Sequence, residues 1–255
     1  MKNDNRFAVL IDADNVSERY IKFILDEISN EGVITYKRIY GDWTKPALGS
    51  WKNVLLEHSI TPIQQYGYTT GKNATDSAMI IDAMDILYAA NVEGFCIVSS
   101  DSDFTRLASR LREAGMTVVG MGEKKTPSAF IAACNKFKYL EVISQEVAPA
   151  GQSQKSAPAV EQTALETVKK AILTIIEETS DEEGWALLSM VGDTLQKRYP
   201  AFDVRNYGHS KLTPFINSLA EFEIKSVRTK EGNVKLNYIR KKVKAQSKAK
   251  TTPNK

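Results

Sequence analysis

The sequence predicts a three-layer α/β domain with a mostly parallel central sheet, followed by a small winged-helix domain of α+β type. Three observations carry this reading. Short apolar runs alternate with amphipathic stretches from Phe7 to Met121, the rhythm of β-α units. The segment VAPAGQSQKSAPAVEQ, residues 147–162, has no apolar period and is rich in Ala, Pro, Ser and Gln, so it reads as a flexible linker. After it come three helical patterns and then two alternating strands joined by a Gly-containing turn. The expected organisation is therefore a first domain over 1–146, a linker over 147–162, a second domain over 163–240 and a basic disordered tail over 241–255.

In order, Phe7–Ile11 is an apolar strand, and Ser17–Ile28 an amphipathic helix with Tyr20, Ile21, Ile24, Leu25 and Ile28 on one face. Thr35–Tyr40 and Ile60–Tyr66 are further strands, and Thr75–Ala90 a helix. The strand Phe95–Ser99 is followed by a helix over Asp103–Ala114, stopped by Gly115, and by the strand Met116–Met121. In the second domain, Thr163–Glu178, Trp185–Leu195 and Leu212–Leu219 are helical. Residues 221–225 and 234–238 are strands around the turn 229–233.

Composition narrows the chemistry. Of 255 residues, 42% are hydrophobic and 25% charged, as in ordinary globular proteins. No run reaches the roughly 18 apolar residues of a membrane span, so no membrane association is expected. The polar start Met1–Arg6 shows no signal peptide, which points to a cytoplasmic protein. Two cysteines, Cys96 and Cys134, and two histidines, His58 and His209, exclude a disulfide framework and a zinc site of the usual kind. Reactive groups must come from carboxylates and hydroxyls. The net charge of +3 is unevenly placed: residues 1–146 hold 16 Lys and Arg against 19 Asp and Glu, and residues 147–255 hold 18 against 12. The last sixteen residues carry seven basic residues and no acid, which favours phosphate contact.

The acids are placed with a pattern. The first strand ends in Ile11-Asp12-Ala13-Asp14-Asn15, and the fourth in Ser99-Ser100-Asp101-Ser102-Asp103. In a parallel sheet both ends open on the same edge, where ligands bind. Asp76, at the start of a helix, is a third source. Carboxylates brought together repel unless a cation lies between them, and an all-oxygen set suits Mg²⁺ or Mn²⁺. Asp12, Asp76, Asp101 and Asp103 are the candidate ligands. Asn15 is placed to orient a scissile phosphate or a water of the cation, and Lys72 to contact a backbone phosphate. Asp82 lies further along the helix as an outer support, and Asp85 reads as surface.

At these residues the chain resembles a known family. IDADN, the run from Lys72 to Asp76, and SSDSDFTRLASRLREAG followed by TVVGMG are similar to the NYN domain of the PIN-like nuclease group, in its LabA-like form, over about residues 5–145. Ser100 stands where the family often has glycine, and the stretch from Lys72 to Asp76 is one residue longer than the common pattern. The resemblance implies a metal-dependent ribonuclease that uses Asp12, Asp76, Asp101 and Asp103, with Asn15 beside them. Residues Gly184–Leu188, Phe202–Leu212 and Phe222–Ile224 resemble the LOTUS, or OST-HTH, domain; Arg205-Asn206-Tyr207-Gly208 and Ser210-Lys211-Leu212 are its most specific stretch. That resemblance implies RNA binding, including structured G-rich RNA, and for some members an RNA helicase partner. Arg205, Tyr207 and Lys211 are the candidate RNA contacts. A nuclease of this size could dimerise to lengthen its groove.

Two other readings compete. Asp12-Ala13-Asp14 also fits the paired aspartates of haloacid-dehalogenase-like phosphatases, but no lysine precedes Ser99 as that chemistry requires. Alternatively, the protein is a catalytically inactive RNA-binding or regulatory scaffold, its first domain binding phosphate and its C-terminal domain and tail carrying the RNA regulation, which would not need a metal to act.

Overall fold

The computed structural model describes residues 5–67, 74–144, 164–228 and 235–242. The linker 147–162, Lys72, the turn 229–233 and tail residues 243–255 lie outside the described residues. The chain forms two compact units, one of residues 1–163 with 196–206, the other of residues 164–195 with those from 207 onward.

In the first unit β1 (Arg6–Asp12), α1 (Ile21–Ser29), β2 (Val33–Gly41), α2 (Trp51–His58), β3 (Thr61–Gln64), α3 (Ala74–Tyr88), β4 (Gly94–Val98), α4 (Thr105–Glu113), β5 (Thr117–Gly122), α5 (Ser128–Ala133), β6 (Lys136–Tyr139) and α6 (Leu140–Ile143) follow one another. The six strands lie in the order β3-β2-β1-β4-β5-β6, and all five pairings are parallel. The expected α/β class with a mostly parallel sheet is what the chain adopts. The chain runs outward from β1 to β3, then returns to β4 on the other side of β1. The ends of β1 and β4 therefore flank the point where strand order reverses.

The alternation of side chains along β1 builds two cores. Phe7, Val9 and Ile11 pack with Ile21, Ile24 and Ile28 of α1 and Trp51 of α2 on one face. Ala8 and Leu10 pack on the other with Met79, Ala83 and Ile86 of α3 and with Leu107, Ala108 and Leu111 of α4. The sequence reading did not single out α2, α5, β6 or α6. They have four to eight residues each, too short to show a period, and packing rather than propensity holds them; Trp51, Phe130, Phe137 and Leu140 are buried anchors.

In the second unit α7 (Leu165–Thr179), β7 (Ala186–Leu187), α8 (Leu188–Arg198, of which 196–198 count with the first unit), α9 (Leu212–Ser218), β8 (Phe222–Arg228) and β9 (Lys235–Lys241) form helices with a three-stranded antiparallel sheet, ordered β7-β9-β8. One expectation is corrected. The helix expected from Trp185 begins at Leu188, because Ala186 and Leu187 pair with Ile239 and Tyr238 of β9 as a short strand. Gly184, at φ 78°, makes the turn into it. Among the described residues no helix is long and apolar enough to cross a membrane.

Candidate metal centre

The inward stripe of β1 is Ala8, Leu10 and, two residues on, Asp12. Asp12 is fully buried, at 0% exposure. Burial pushes its carboxyl pKa up, partly offset by hydrogen bonds. Ser99 Oγ donates to Asp12 Oδ2 at 2.8 Å, Asn15 Nδ2 donates to the same oxygen at 2.7 Å, and the Asp14 backbone N–H donates to Oδ1 at 3.1 Å. Three donors fix the orientation of one carboxylate. Asn15, expected to face phosphate or water, donates an amide hydrogen bond to Asp12.

The other acids arrive from different elements. On α3, Asp76, Met79, Ala83 and Ile86 recur at intervals of three and four, and the last three are buried, so Asp76 begins the inward stripe. After β4 the Asp101 backbone N–H donates to Ser99 Oγ at 3.0 Å, and Asp101 Oδ1 accepts the Asp103 N–H at 2.9 Å, which caps the short 3-10 turn Ser102–Phe104 before α4. One carboxylate oxygen each from Asp76, Asp101 and Asp103 lie within 4.8 Å of one another. Partial burial, and then the charges of Asp12, Asp101, Asp103 and Asp14, push the Asp76 carboxyl up to about 6. Ser99 thus links two acids, Asp12 and Asp101, and was not among the expected site residues. Its signal was present, as a hydroxyl at the strand end that opens the SSDSD run.

Gly122, at the end of β5, leaves room for this corner. A Cβ there would lie 2.6 Å from the Ser99 carbonyl oxygen and 2.5 Å from Thr126 Oγ1. Gly122→Ala is expected to lower stability by about 1–3 kcal/mol, since the backbone at Ser99 or the Thr126 side chain must shift; urea denaturation checks it.

Further residues border the cluster. Lys45 Nζ lies 3.4 Å from Asp14 Oδ1, and Thr75 Oγ1 donates to Asp14 Oδ2 at 3.3 Å. Neither partner was anticipated. Asp82 forms an ion pair with Arg38 and accepts from the Tyr40 hydroxyl. It thereby ties α3, and with it Asp76, to β2. Asp85 is exposed.

The remaining candidates lie away from the acids in sequence. Arg205 makes two bidentate contacts: its Nη1 and Nη2 reach Glu27 at 3.0 and 2.8 Å, and its Nε and Nη2 reach Asp203 at 3.0 and 2.7 Å. Tyr207 stacks at a tilt on Phe215, with ring centroids 5.1 Å apart. Lys211 is exposed just before α9.

The NYN domain family matches residues 6–141, and the OST-HTH/LOTUS domain family matches residues 163–234. No curated protein matches the chain. Among solved structures, the chain is similar to a protein of unknown function from Vibrio parahaemolyticus, at 18% identity and TM-score 0.45 over 54% of this chain and 93% of that one. It is also similar to an uncharacterized protein from Nitrosomonas europaea, at 29% identity and TM-score 0.30 over 39% and 93% of the two chains. A protein from Chromobacterium violaceum is 28% identical, with TM-score 0.26, over 37% and 100%. With more than half its length matched and the acids gathered at the strand ends, the chain belongs to the NYN domain family and carries an OST-HTH/LOTUS domain after it.

Proposed function

We propose that this protein is a ribonuclease that hydrolyses RNA phosphodiester bonds with Mg²⁺ or Mn²⁺ at the acids of its first domain, residues 1–146. In this reading residues 147–162 link it to an RNA-binding domain over 163–240, and residues 241–255 form a basic tail. The observation that carries it is the convergence of Asp76, Asp101 and Asp103 within 4.8 Å, beside buried Asp12.

The donor set fits a hard divalent cation. It offers only carboxylate and hydroxyl oxygens, and burial, followed by the charges of the neighbouring acids, raises the Asp76 carboxyl, a cost that a counter-charge would relieve. Asp12, Asp76, Asp101 and Asp103 would hold it. When bound, the cation supplies activation of water and neutralisation of charge at phosphorus. Hydrogen bonds from Ser99 and Asn15 orient the Asp12 carboxylate and partly offset the burial that raises its pKa, and Asp101 holds the turn that presents Asp103. Lys45, beside Asp14, and Lys72 provide the positive charge on which the RNA backbone rests. In the second domain Lys211 contacts RNA, whereas Arg205 and Tyr207 serve structure. The protein acts in the cytoplasm, with RNA as its partner; a helicase or a second copy of the chain assembles with it.

The test is cleavage of labelled single-stranded RNA by the full chain with Mn²⁺, with Mg²⁺ and with EDTA. Cleavage that needs the metal supports the reading. Binding without cleavage under any condition supports the inactive scaffold instead.

Stability offers a second check. Because the folded Asp76 carboxyl is raised from 3.8 to about 6, the folded state binds its proton more tightly than the unfolded state. Stability of the metal-free protein therefore falls as pH rises from about 4 to about 6, and the loss persists above that. Asp76→Asn is expected to raise the melting temperature in EDTA near neutral pH by a few degrees, corresponding to about 1–2 kcal/mol. Near pH 4 the two proteins should melt together. With Mn²⁺ the order should reverse, because wild type binds the ion and the variant does so weakly.

A further inference from the structure

We propose that the pocket bordered by Arg19, Tyr20, Phe23, Glu141 and Ser144 receives a single guanine of the RNA strand and so directs cleavage to bonds near guanosine, an assignment that rests on the ribonuclease reading above. The pocket lies within the first unit and has a volume of about 310 Å³. Ligand pockets span roughly 300–1,000 Å³, so this one is at the small end, where one base fits.

Both of its walls are tied to the strand ends that carry the acids. Arg19 and Tyr20 follow Asn15, the donor to Asp12, by four and five residues. On the other wall Glu141 stands two residues beyond the carboxyl end of β6. There it meets the end of β5: the Glu123 N–H donates to Ser100 Oγ at 2.8 Å, and the next N–H, that of Lys124, donates to the two Glu141 oxygens at 3.0 and 3.1 Å. The pocket therefore shares the carboxyl edge of the sheet with Asp12, Asp101 and Asp103.

The side chains decide the occupant. Arg19 and Glu141 cancel in charge, so the pocket selects a neutral group over a phosphate. The shared Lys124 N–H fixes the Glu141 carboxylate and leaves lone pairs on both oxygens, two acceptors side by side. Arg19 Nη2 donates to the Tyr20 hydroxyl at 2.6 Å, and the guanidinium lies 4.6 Å from the Tyr20 ring centroid, which leaves its other N–H groups for a ligand. The ligand must present adjacent donors on one edge and acceptors on the next. Guanine does so: N1–H and N2–H match a carboxylate, and O6 and N7 match an arginine. Adenine and cytosine place an acceptor beside the amino donor of the same edge, and uracil has a single N–H, so none of them fills both oxygens. Phe23, partly buried, supplies an apolar wall for a flat ring.

The experiment measures binding of the full chain, in EDTA to withhold the metal, to labelled pentamers UUXUU by fluorescence anisotropy, with guanosine, inosine, adenosine, cytidine or uridine at X. Wild type should bind the guanosine pentamer about tenfold more tightly than the adenosine, cytidine and uridine pentamers. Inosine, which lacks the N2 amino group, should fall between. Glu141→Gln keeps an acceptor for the Lys124 N–H and replaces the other oxygen with a donor, so its affinities should lie within about twofold of one another. Arg19→Ala, at an exposed position, should cut the preference to about threefold. Melting curves that match wild type establish that the variants are folded. With Mn²⁺, cuts in a mixed-sequence RNA should fall at a fixed distance from guanosine in wild type and scatter in Glu141→Gln. A wild type that binds the five pentamers alike, or binds none, overturns the proposal. So does a guanosine preference that folded Glu141→Gln and Arg19→Ala both retain, since the base then sits elsewhere on the chain. If the preference depends on Glu141 but no metal supports cleavage, the guanine site stands and the ribonuclease reading fails. An active wild type without any guanosine preference ends the guanine site alone.

Discussion

Asp12→Asn should lower metal-dependent RNA cleavage by more than about 100-fold, and RNA affinity should stay within about twofold, because the partners that merely orient metal ligands already cost about 10–100-fold when removed. The reason lies in how the carboxylate is held. Its Oδ2 accepts from both Ser99 Oγ and Asn15 Nδ2, and its Oδ1 accepts from the Asp14 N–H. An amide of the same shape has one acceptor oxygen and one donor NH₂. With its NH₂ on the Oδ1 side the amide meets the Asp14 N–H, a donor that cannot turn; on the Oδ2 side the Ser99 hydroxyl and the Asn15 amide must both reorient to accept, and in either case the negative charge is gone. Ser99→Ala should fall between wild type and Asp12→Asn, at about 10–100-fold. It removes one donor to Asp12 and the acceptor of the Asp101 N–H, and every acid remains. Initial rates with Mn²⁺ across the three proteins give the order. Equal rates for wild type and Asp12→Asn would remove Asp12 from the chemistry.

The candidate centre was legible where its information is local. A strand that ends in aspartate declares itself in one short run, and two such strands in a parallel sheet share an edge by topology. Asp76 was legible as an acid at the start of a helix, whereas the buried stripe of Met79, Ala83 and Ile86 that gives it its direction emerged only with the packing of α3. What the sequence concealed depends on partners far along the chain. Lys45 meets Asp14 across 31 positions, and Arg38 meets Asp82 across 44. Ser99 reaches Asp12 across 87, a pairing that parallel β1 and β4 impose and no periodicity announces. The strand Ala186–Leu187 was hidden for the same reason: its apolar residues continue a helical period, and only β9 makes them a strand. Arg205 is the extreme case. A basic residue beside a tyrosine and a glycine reads locally as an RNA contact, whereas its acids are Asp203, two residues away, and Glu27, 178 residues away.

Arg205→Ala is accordingly expected to destabilise the first unit rather than to weaken RNA binding, by about 3–5 kcal/mol, on the order of 10 °C in melting temperature. Arg205, Lys138, Glu27 and Asp203 bring together two cations and two anions, with side-chain exposures of 14%, 10%, 16% and 9%. Each carboxylate accepts the arginine fork through both oxygens, and the Lys138 ammonium lies 2.6 Å from Asp203 and 3.5 Å from Glu27. Removal of the guanidinium leaves two largely buried anions to one lysine. That is the costly case, because the lost attraction is not matched by any return of water. Arg205→Lys keeps the charge and cannot span both forks, so its loss should be smaller. The pH dependence has a definite sign. Burial alone would raise the Asp203 carboxyl, but Arg205 and Lys138 bring it down to about 2, below its ordinary value of 3.8. The stability this provides is present above about pH 4 and is lost as pH falls toward 2. The difference between wild type and Arg205→Ala in urea denaturation should therefore narrow across that interval. A variant that melts with wild type at neutral pH but binds RNA tenfold more weakly would instead place Arg205 on the RNA, and the buried network would have to open to allow it.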